Sequence, residues 1–273
     1  MNEAELLFTE VLRCDRASLY QNPNATLGRN NSRLISSALK RRIKGEPIQY
    51  ILGKTEFMGL EFKLDRGVLI PRPETEILVE TVIKIVSGFR IQASGLNVLD
   101  VGTGSGCIAV SLAKFLKDIR VTATDISEKA ITVAKENAAL NKVEDKIDFI
   151  RQDLFGLQLA ACSMRPNLFD FIVSNPPYVL TAEIERLQPE IKFEPRIALD
   201  GGSDGLDFYR RIIKEAPCYL VKGGCLIIEI GFNQKGLIEN IFHNSAIFEI
   251  IEIVKDYNNI DRVIVAQRKQ ELG

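Results

Sequence analysis

Two short blocks of this chain hold the residues best suited to chemistry. Asp100-Val101-Gly102-Thr103-Gly104-Ser105-Gly106 closes one apolar run, and Asn175-Pro176-Pro177-Tyr178 closes another, Phe169-Asp170-Phe171-Ile172-Val173-Ser174. Glycines at alternate positions let the backbone turn tightly and approach a ligand, although G-x-G-x-G-Cys differs from the G-x-G-x-x-G of dinucleotide sites. The second block offers a side-chain amide, prolines that donate no N–H, and an aromatic ring. A flat amino group fits this set. The Asn175 side-chain oxygen and the Pro176 carbonyl can each accept one N–H, while Tyr178 packs on the flat face. Read together, the blocks point to methyl transfer to a planar nitrogen.

Three carboxylates stand where they could hold a nucleoside-bearing donor. Asp125 closes a strand-like run, a position from which an acid accepts hydrogen bonds from both ribose hydroxyls. Asp153, in Gln152-Asp153-Leu154-Phe155, could accept from an exocyclic adenine amine while Leu154 packs on the ring, or could be a plain turn acid. Asp100 either meets the donor's ammonium group or orders the glycine loop. A methyl group carried on a sulfonium needs neither metal nor histidine to react, because its leaving group departs neutral. The rate then rests on proximity and in-line alignment. The chain has one histidine, His243, too few for a multi-histidine metal site.

Apolar periodicity supplies the frame for these groups. Strand-like runs at 97–101, 120–124, 146–150, 169–174 and 225–230 alternate with helix-like runs at 105–117, 128–140, 205–220 and 231–242. Such alternation predicts an α/β fold with a mainly parallel sheet and helices on both faces. Runs at 248–254 and 262–267 predict a closing antiparallel hairpin. Ahead of this frame, helical spacing at 4–12 and 32–43 predicts a small helical unit. Branched and aromatic runs at 55–63 and 66–70 predict a hairpin turning at Asp65-Arg66-Gly67. Pro71-Arg72-Pro73-Glu74-Thr75-Glu76 then opens a helix over 77–86. The expected division is a helical N-terminal domain at 1–54, a hairpin linker at 55–73 and the sheet domain at 74–273.

With 46% apolar and 26% charged residues among 273, the chain can bury a sizeable core. A net charge of −1 gives no general field for a polyanion, although Lys40-Arg41-Arg42-Ile43-Lys44 is locally basic. No direct nucleic-acid partner is therefore expected. The five cysteines, Cys14, Cys107, Cys162, Cys218 and Cys225, form an odd set without C-x-x-C, which points to neither a disulfide framework nor a zinc site. No stretch has the length and apolarity of a membrane span, and the acidic N-terminus is unlike a signal peptide. A cytoplasmic location without metal or membrane is the expectation.

At these motifs the chain resembles class I S-adenosylmethionine-dependent methyltransferases with a Rossmann-like sheet, and among them the release factor glutamine methyltransferases (PrmC/HemK family). The resemblance is carried by Pro47-Ile48-Gln49-Tyr50-Ile51-Leu52-Gly53, Phe57-Met58-Gly59, Val68 to Glu76, the Gly102 to Gly106 loop, Asp125-Ile126-Ser127, Asn175 to Tyr178, and Glu194-Pro195 leading to Ala198 through Leu206. It implies methyl transfer from S-adenosylmethionine to the side-chain nitrogen (N5) of the glutamine in the Gly-Gly-Gln tip of peptide chain release factors, with the helical N-terminal part gripping the factor. By the same resemblance Gly102, Thr103, Gly104, Ser105, Gly106, Asp125 and Asn175 would contact the cofactor, and Asn175, Pro176, Pro177 and Tyr178 would hold the glutamine. Relatives with an aromatic residue after the third-strand acid differ from this chain, which has Leu154 there and Phe155 next. Competing readings are an N6-adenine methyltransferase, whose acceptor is also a planar amine, and a binding module without catalysis. Near-neutral charge and the lack of an evident basic target-recognition domain argue against the first. The intact glycine loop, Asp125 and Asn175 argue against the second.

Overall fold

The computed structural model describes residues 2–21, 26–88, 95–156 and 169–270. The chain opens with α1 (Glu3–Leu12), α2 (Arg16–Gln21), α3 (Arg29–Ile43) and α4 (Ile48–Leu52). A capping box starts α1: Asn2 accepts from the Glu5 backbone, and Glu5 reaches back to the Asn2 N–H. Leu7, Ile35, Ala38 and Ile48 form a small core of their own. The short helices α2 and α4 were not expected from periodicity. Glu46, 2% exposed between α3 and α4, binds Arg41 at 2.6 Å and Arg66 at 2.7 Å. Hydrogen bonds from Arg41, reinforced by Arg66, hold its carboxyl down at about 2 against the opposing effect of burial.

Next comes a hairpin of β1 (Lys54–Phe57) and β2 (Leu60–Lys63), which pair antiparallel from Lys54–Lys63 to Phe57–Leu60. Its turn lies at Met58-Gly59, with φ of 53° and 72°, and not at Asp65-Arg66-Gly67. A two-residue hairpin turn of this hand needs positive φ at both central positions. Asp65 instead accepts from the Gly67 N–H at 2.6 Å, a local turn on the way out of β2.

The remainder alternates as expected: α5 (Pro73–Gly88), β3 (Leu96–Val101), α6 (Cys107–Phe115), β4 (Ile119–Asp125), α7 (Glu128–Asn141), β5 (Ile147–Arg151), β6 (Phe169–Ser174), α8 (Asp207–Glu215), β7 (Leu220–Glu229), α9 (Lys235–Ser245), β8 (Phe248–Lys255) and β9 (Asp261–Arg268). Seven strands form one sheet in the order β5-β4-β3-β6-β7-β9-β8. All neighbours are parallel except β9, which runs antiparallel to both β7 and β8. Strand order reverses beside β3, because β4 and β5 lie on one side and β6 on the other. Ligands bind beyond the carboxyl ends of strands at such a point.

Two apolar layers cover the sheet. One packs Leu78, Val82 and Leu112 of α5 and α6 on Val98, Val121 and Ile227, and the other packs Tyr209, Ile212 and Phe242 of α8 and α9 on Leu99, Ile172 and Ile228. The hairpin is fastened to this body by amides. Asn137 of α7 accepts from the Lys63 N–H at 2.7 Å and donates to the Lys63 carbonyl, and Asn141 donates to the Glu61 carbonyl. Among the described residues Cys14, Cys107 and Cys225 are free thiols, Cys107 and Cys225 of them buried. Cys162 lies outside the described residues.

Candidate active site

A cavity of about 250 Å³ opens beyond the carboxyl ends of β3, β4, β5 and β6. Its walls include Gly102 to Ser105, Asp125, Asp153 with Leu154, and Asn175 to Pro177. In the glycine loop the three glycines do different work. Gly102 and Gly104 take φ of 76° and 56°, and a Cβ at either would meet nothing within 4 Å, so both face open space. A Cβ on Gly106 would sit 3.0 Å from Ala134 Cβ, so this glycine lets α6 start close against α7. Asn137 donates to the Ser105 carbonyl at 2.9 Å and ties the loop to the same amide that holds the hairpin.

The carboxylates divide. Asp125 stands at the cavity wall, with Oδ2 accepting from the Gly104 N–H at 2.9 Å and Oδ1 from the Ser127 N–H at 2.8 Å. Each oxygen keeps a further lone pair for a ligand hydroxyl. Burial raises its pKa, and the Ser127 and Gly104 N–H groups work against that rise. Asp153 is exposed at the rim and paired with Arg211 of α8 at 2.8 Å. Leu154 lines the cavity, while Phe155 turns into the core and stacks on Tyr219 at 4.8 Å. Asp100 has no exposed surface, is not part of the cavity wall, and accepts from the Thr103 hydroxyl at 2.6 Å. Of its two readings, this placement is that of a residue ordering the loop. Desolvation pushes its carboxyl up to about 7.

At the second block, β6 ends and the chain turns through two prolines. Among the described residues, no donor reaches the Asn175 side-chain oxygen or the Pro176 carbonyl. Tyr178 departs from expectation: it packs on the apolar layer around Tyr209 instead of lining the cavity. Burial raises its hydroxyl to about 12. The backbone behind it is clamped. Gln234 donates to the carbonyls of Tyr178 and Gly205 and accepts from the Gly231 N–H, while the Val179 N–H donates to the Leu199 carbonyl and the Val179 carbonyl accepts from the Gly201 N–H. A Cβ on Gly201 would lie 2.7 Å from Tyr178 Cα, so only glycine fits there.

Four residues of the site escaped the sequence reading as site residues. Thr75 of α5 accepts from Asn175 Nδ2 at 2.9 Å and donates to Glu229 of β7 at 2.7 Å. Arg72 holds Glu194 with bonds of 2.6 and 2.7 Å, and this pins the segment whose Pro195, Ile197 and Ala198 wall the cavity. Both partner sets are separated by 100 residues or more. The only sequence signal was the presence of Arg72, Thr75 and Glu194 in the blocks that carry the resemblance. No group of three or more His, Cys, Asp or Glu among the described residues is placed to hold a metal. No described helix is long and apolar enough to cross a membrane.

A parallel sheet with one inserted antiparallel strand and a ligand cavity at its switch point defines the fold of class I methyltransferases. Two solved structures share it at the level of fold: a methyltransferase from Pyrococcus furiosus (TM-score 0.55, 17% identity, 89% of this chain and 100% of that one) and a ribosomal protein L11 methylase from Lactobacillus delbrueckii (TM-score 0.51, 24% identity, 76% and 84%). Residues 74–189 match the family model described as methyltransferase small domain, and residues 1–53 match the PrmC N-terminal domain. The release factor glutamine methyltransferase of Thermodesulfovibrio yellowstonii is 43% identical over 100% of this chain and 94% of its own length. Those of Fusobacterium nucleatum (42%, covering 97% and 73%) and Clostridium acetobutylicum (41%, covering 98% and 91%) are similar. The chain belongs to the release factor glutamine methyltransferase family.

Proposed function

We propose that this protein transfers a methyl group from S-adenosylmethionine to the side-chain amide nitrogen of the glutamine in the Gly-Gly-Gln motif of peptide chain release factors. The observation that carries the reading is the pair of uncommitted acceptors, Asn175 Oδ1 and the Pro176 carbonyl, on a cavity whose other wall is the glycine loop and Asp125. The residues fit the donor: Gly102 and Gly104 leave open space, and Asp125 keeps acceptor capacity at the end of β4. When bound, the donor would supply an electrophilic methyl carbon on a sulfonium sulfur, which departs as a neutral thioether.

The chain's own residues then have an orienting task. An amide nitrogen is a poor nucleophile because its lone pair is delocalised. Two acceptors, one on each N–H, pin the nitrogen and favour the geometry that returns electron density to it. Pro176 and Pro177 offer no competing backbone donor at that point. The nitrogen becomes far more acidic as it is alkylated, so its proton can leave to water without a strong base. In this reading residues 1–54 grip the release factor, 55–73 link, and 74–273 carry out transfer, in the cytoplasm where release factors act.

Asn175→Ala tests the assignment. Cofactor affinity by calorimetry is expected to stay within a few-fold, while kcat for release-factor methylation falls by about 100-fold or more, the scale of removing an oriented polar contact at the reacting centre. Unchanged turnover removes Asn175 from the mechanism.

A further inference from the structure

We propose that Thr75 and Glu229 are positioning residues that set which end of the Asn175 amide faces the acceptor. This rests on the functional reading above and deepens it. The amide of an asparagine can present an acceptor or a donor pair, and only the acceptor end can take an N–H from the substrate. Something must choose between the two. Thr75, 2% exposed, and Glu229, 1% exposed, lie directly behind Asn175. A carboxylate can only accept, so the Thr75 hydroxyl spends its one proton on Glu229 Oε2 at 2.7 Å. Toward Asn175 it can then only accept, which requires Nδ2 to point at Thr75, at 2.9 Å, and Oδ1 to point away. The charge on Glu229 thus fixes the direction of both hydrogen bonds.

A protonated Glu229 permits the reverse chain. It would donate to Thr75, Thr75 would donate to Oδ1, and Nδ2 would face the substrate's own N–H. The groups around Glu229 leave this balance close. Burial opposes its charge most strongly; the Thr75 bond, Arg262 of β9 and Arg72 support it; Glu74 opposes it. Tyr178 and Cys107 lie near enough to sense the same charge, and the Tyr209 hydroxyl donates to the Glu229 backbone carbonyl at 3.1 Å. The carboxyl is pushed up to about 7. Its second oxygen, Oε1, is buried without a hydrogen-bond partner among the described residues.

The test measures kcat/KM for methylation of a purified release factor, with S-adenosylmethionine affinity by calorimetry alongside. Thr75→Val is expected to lose about tenfold in kcat/KM, the scale of one oriented hydrogen bond, with cofactor Kd within about twofold. Thr75→Ser restores most of the loss. In the Asn175→Ala background, Thr75→Val is expected to cost nothing further, because the two act as one unit. A wild-type acid limb near pH 7 is expected to disappear in Glu229→Gln, and this profile decides the matter if Thr75→Val does not fold. An equal loss in both backgrounds, an unaffected Thr75→Val, or an unmoved acid limb overturns the inference while leaving the functional reading intact. Wild-type protein that binds S-adenosylmethionine yet leaves the release factor unmethylated overturns both.

Discussion

Gly201 gives the sharpest structural prediction, because a single methyl group there meets only backbone. A Cβ would lie 2.7 Å from Tyr178 Cα and 2.9 Å from both the Tyr178 carbonyl carbon and the Pro177 carbonyl oxygen. Ordinary contact begins near 3.4 Å, so Gly201→Ala must move the Pro177-Tyr178 backbone by roughly 0.7 Å on van der Waals grounds. The displaced segment cannot relax outward freely, since Gln234 and the bonds between 179 and 199–201 hold it from behind. Overpacking of this kind costs about 1–3 kcal/mol of stability. The larger effect falls on chemistry: a misplacement approaching 1 Å at an alignment-dependent centre costs on the order of 100-fold. The assay is steady-state methylation of a release factor together with calorimetric binding of S-adenosylmethionine. The expected result is a roughly 10- to 100-fold drop in catalytic efficiency with cofactor affinity nearly kept, since Gly102, Gly104 and Asp125 lie on other strands' ends. A folded Gly201→Ala protein with wild-type catalytic efficiency would refute the claim that this backbone positions the acceptor.

Other consequences follow from single interactions. Asp125→Asn keeps the shape of the loop but loses acceptor capacity, and should raise the calorimetric Kd for S-adenosylmethionine at least about tenfold while changing kcat at saturation much less; equal affinity would remove the ribose contact. Arg72→Ala leaves Glu194, 7% exposed, without its partner; discounted for the one-third exposure of Arg72, the loss is about 2 kcal/mol, or roughly 4–8 °C in Tm, readable by calorimetric melting, and an unchanged Tm would contradict it. Glu229 and Asp100 are both pushed up to about 7 from ordinary values of 4.5 and 3.8. Folded protein therefore holds protons that unfolded chain releases, so this contribution to stability is full below about pH 4 and lost as pH rises through 7. Glu229→Gln should flatten that decline in denaturant melts between pH 4.5 and 7, and an unchanged slope would show that Glu229 is ionised throughout.

Much of this frame was legible because its signals are local. The run Phe169–Ser174 was read with the same limits that the strand shows, and the closing hairpin of β8 and β9 lies where alternation placed it. The glycine loop, Asp125 and the Asn175 turn were readable from residue type and position at strand ends. What escaped was set by contacts distant in sequence. Thr75 meets Asn175 and Glu229 only after the sheet has closed, and Arg72 finds Glu194 across 122 residues. The direction of Tyr178 escaped for a related reason: its motif placed it, yet core packing turns it toward Tyr209, and packing likewise chooses between the two roles open to Asp100 by holding it under the loop. The hairpin turn was misplaced because Asp65-Arg66-Gly67 looks like a turn and is one, although the positive φ pair at Met58-Gly59 is what reverses the strand.

The most direct test of the central claim is mass spectrometry of a purified release factor after incubation with this protein and S-adenosylmethionine, with peptide mapping across Gly-Gly-Gln. The account predicts one added methyl group on the glutamine side chain, present with wild-type protein and lost with Asn175→Ala. A release factor left unmodified by protein that demonstrably binds the cofactor, or a methyl group placed on another residue, would contradict it.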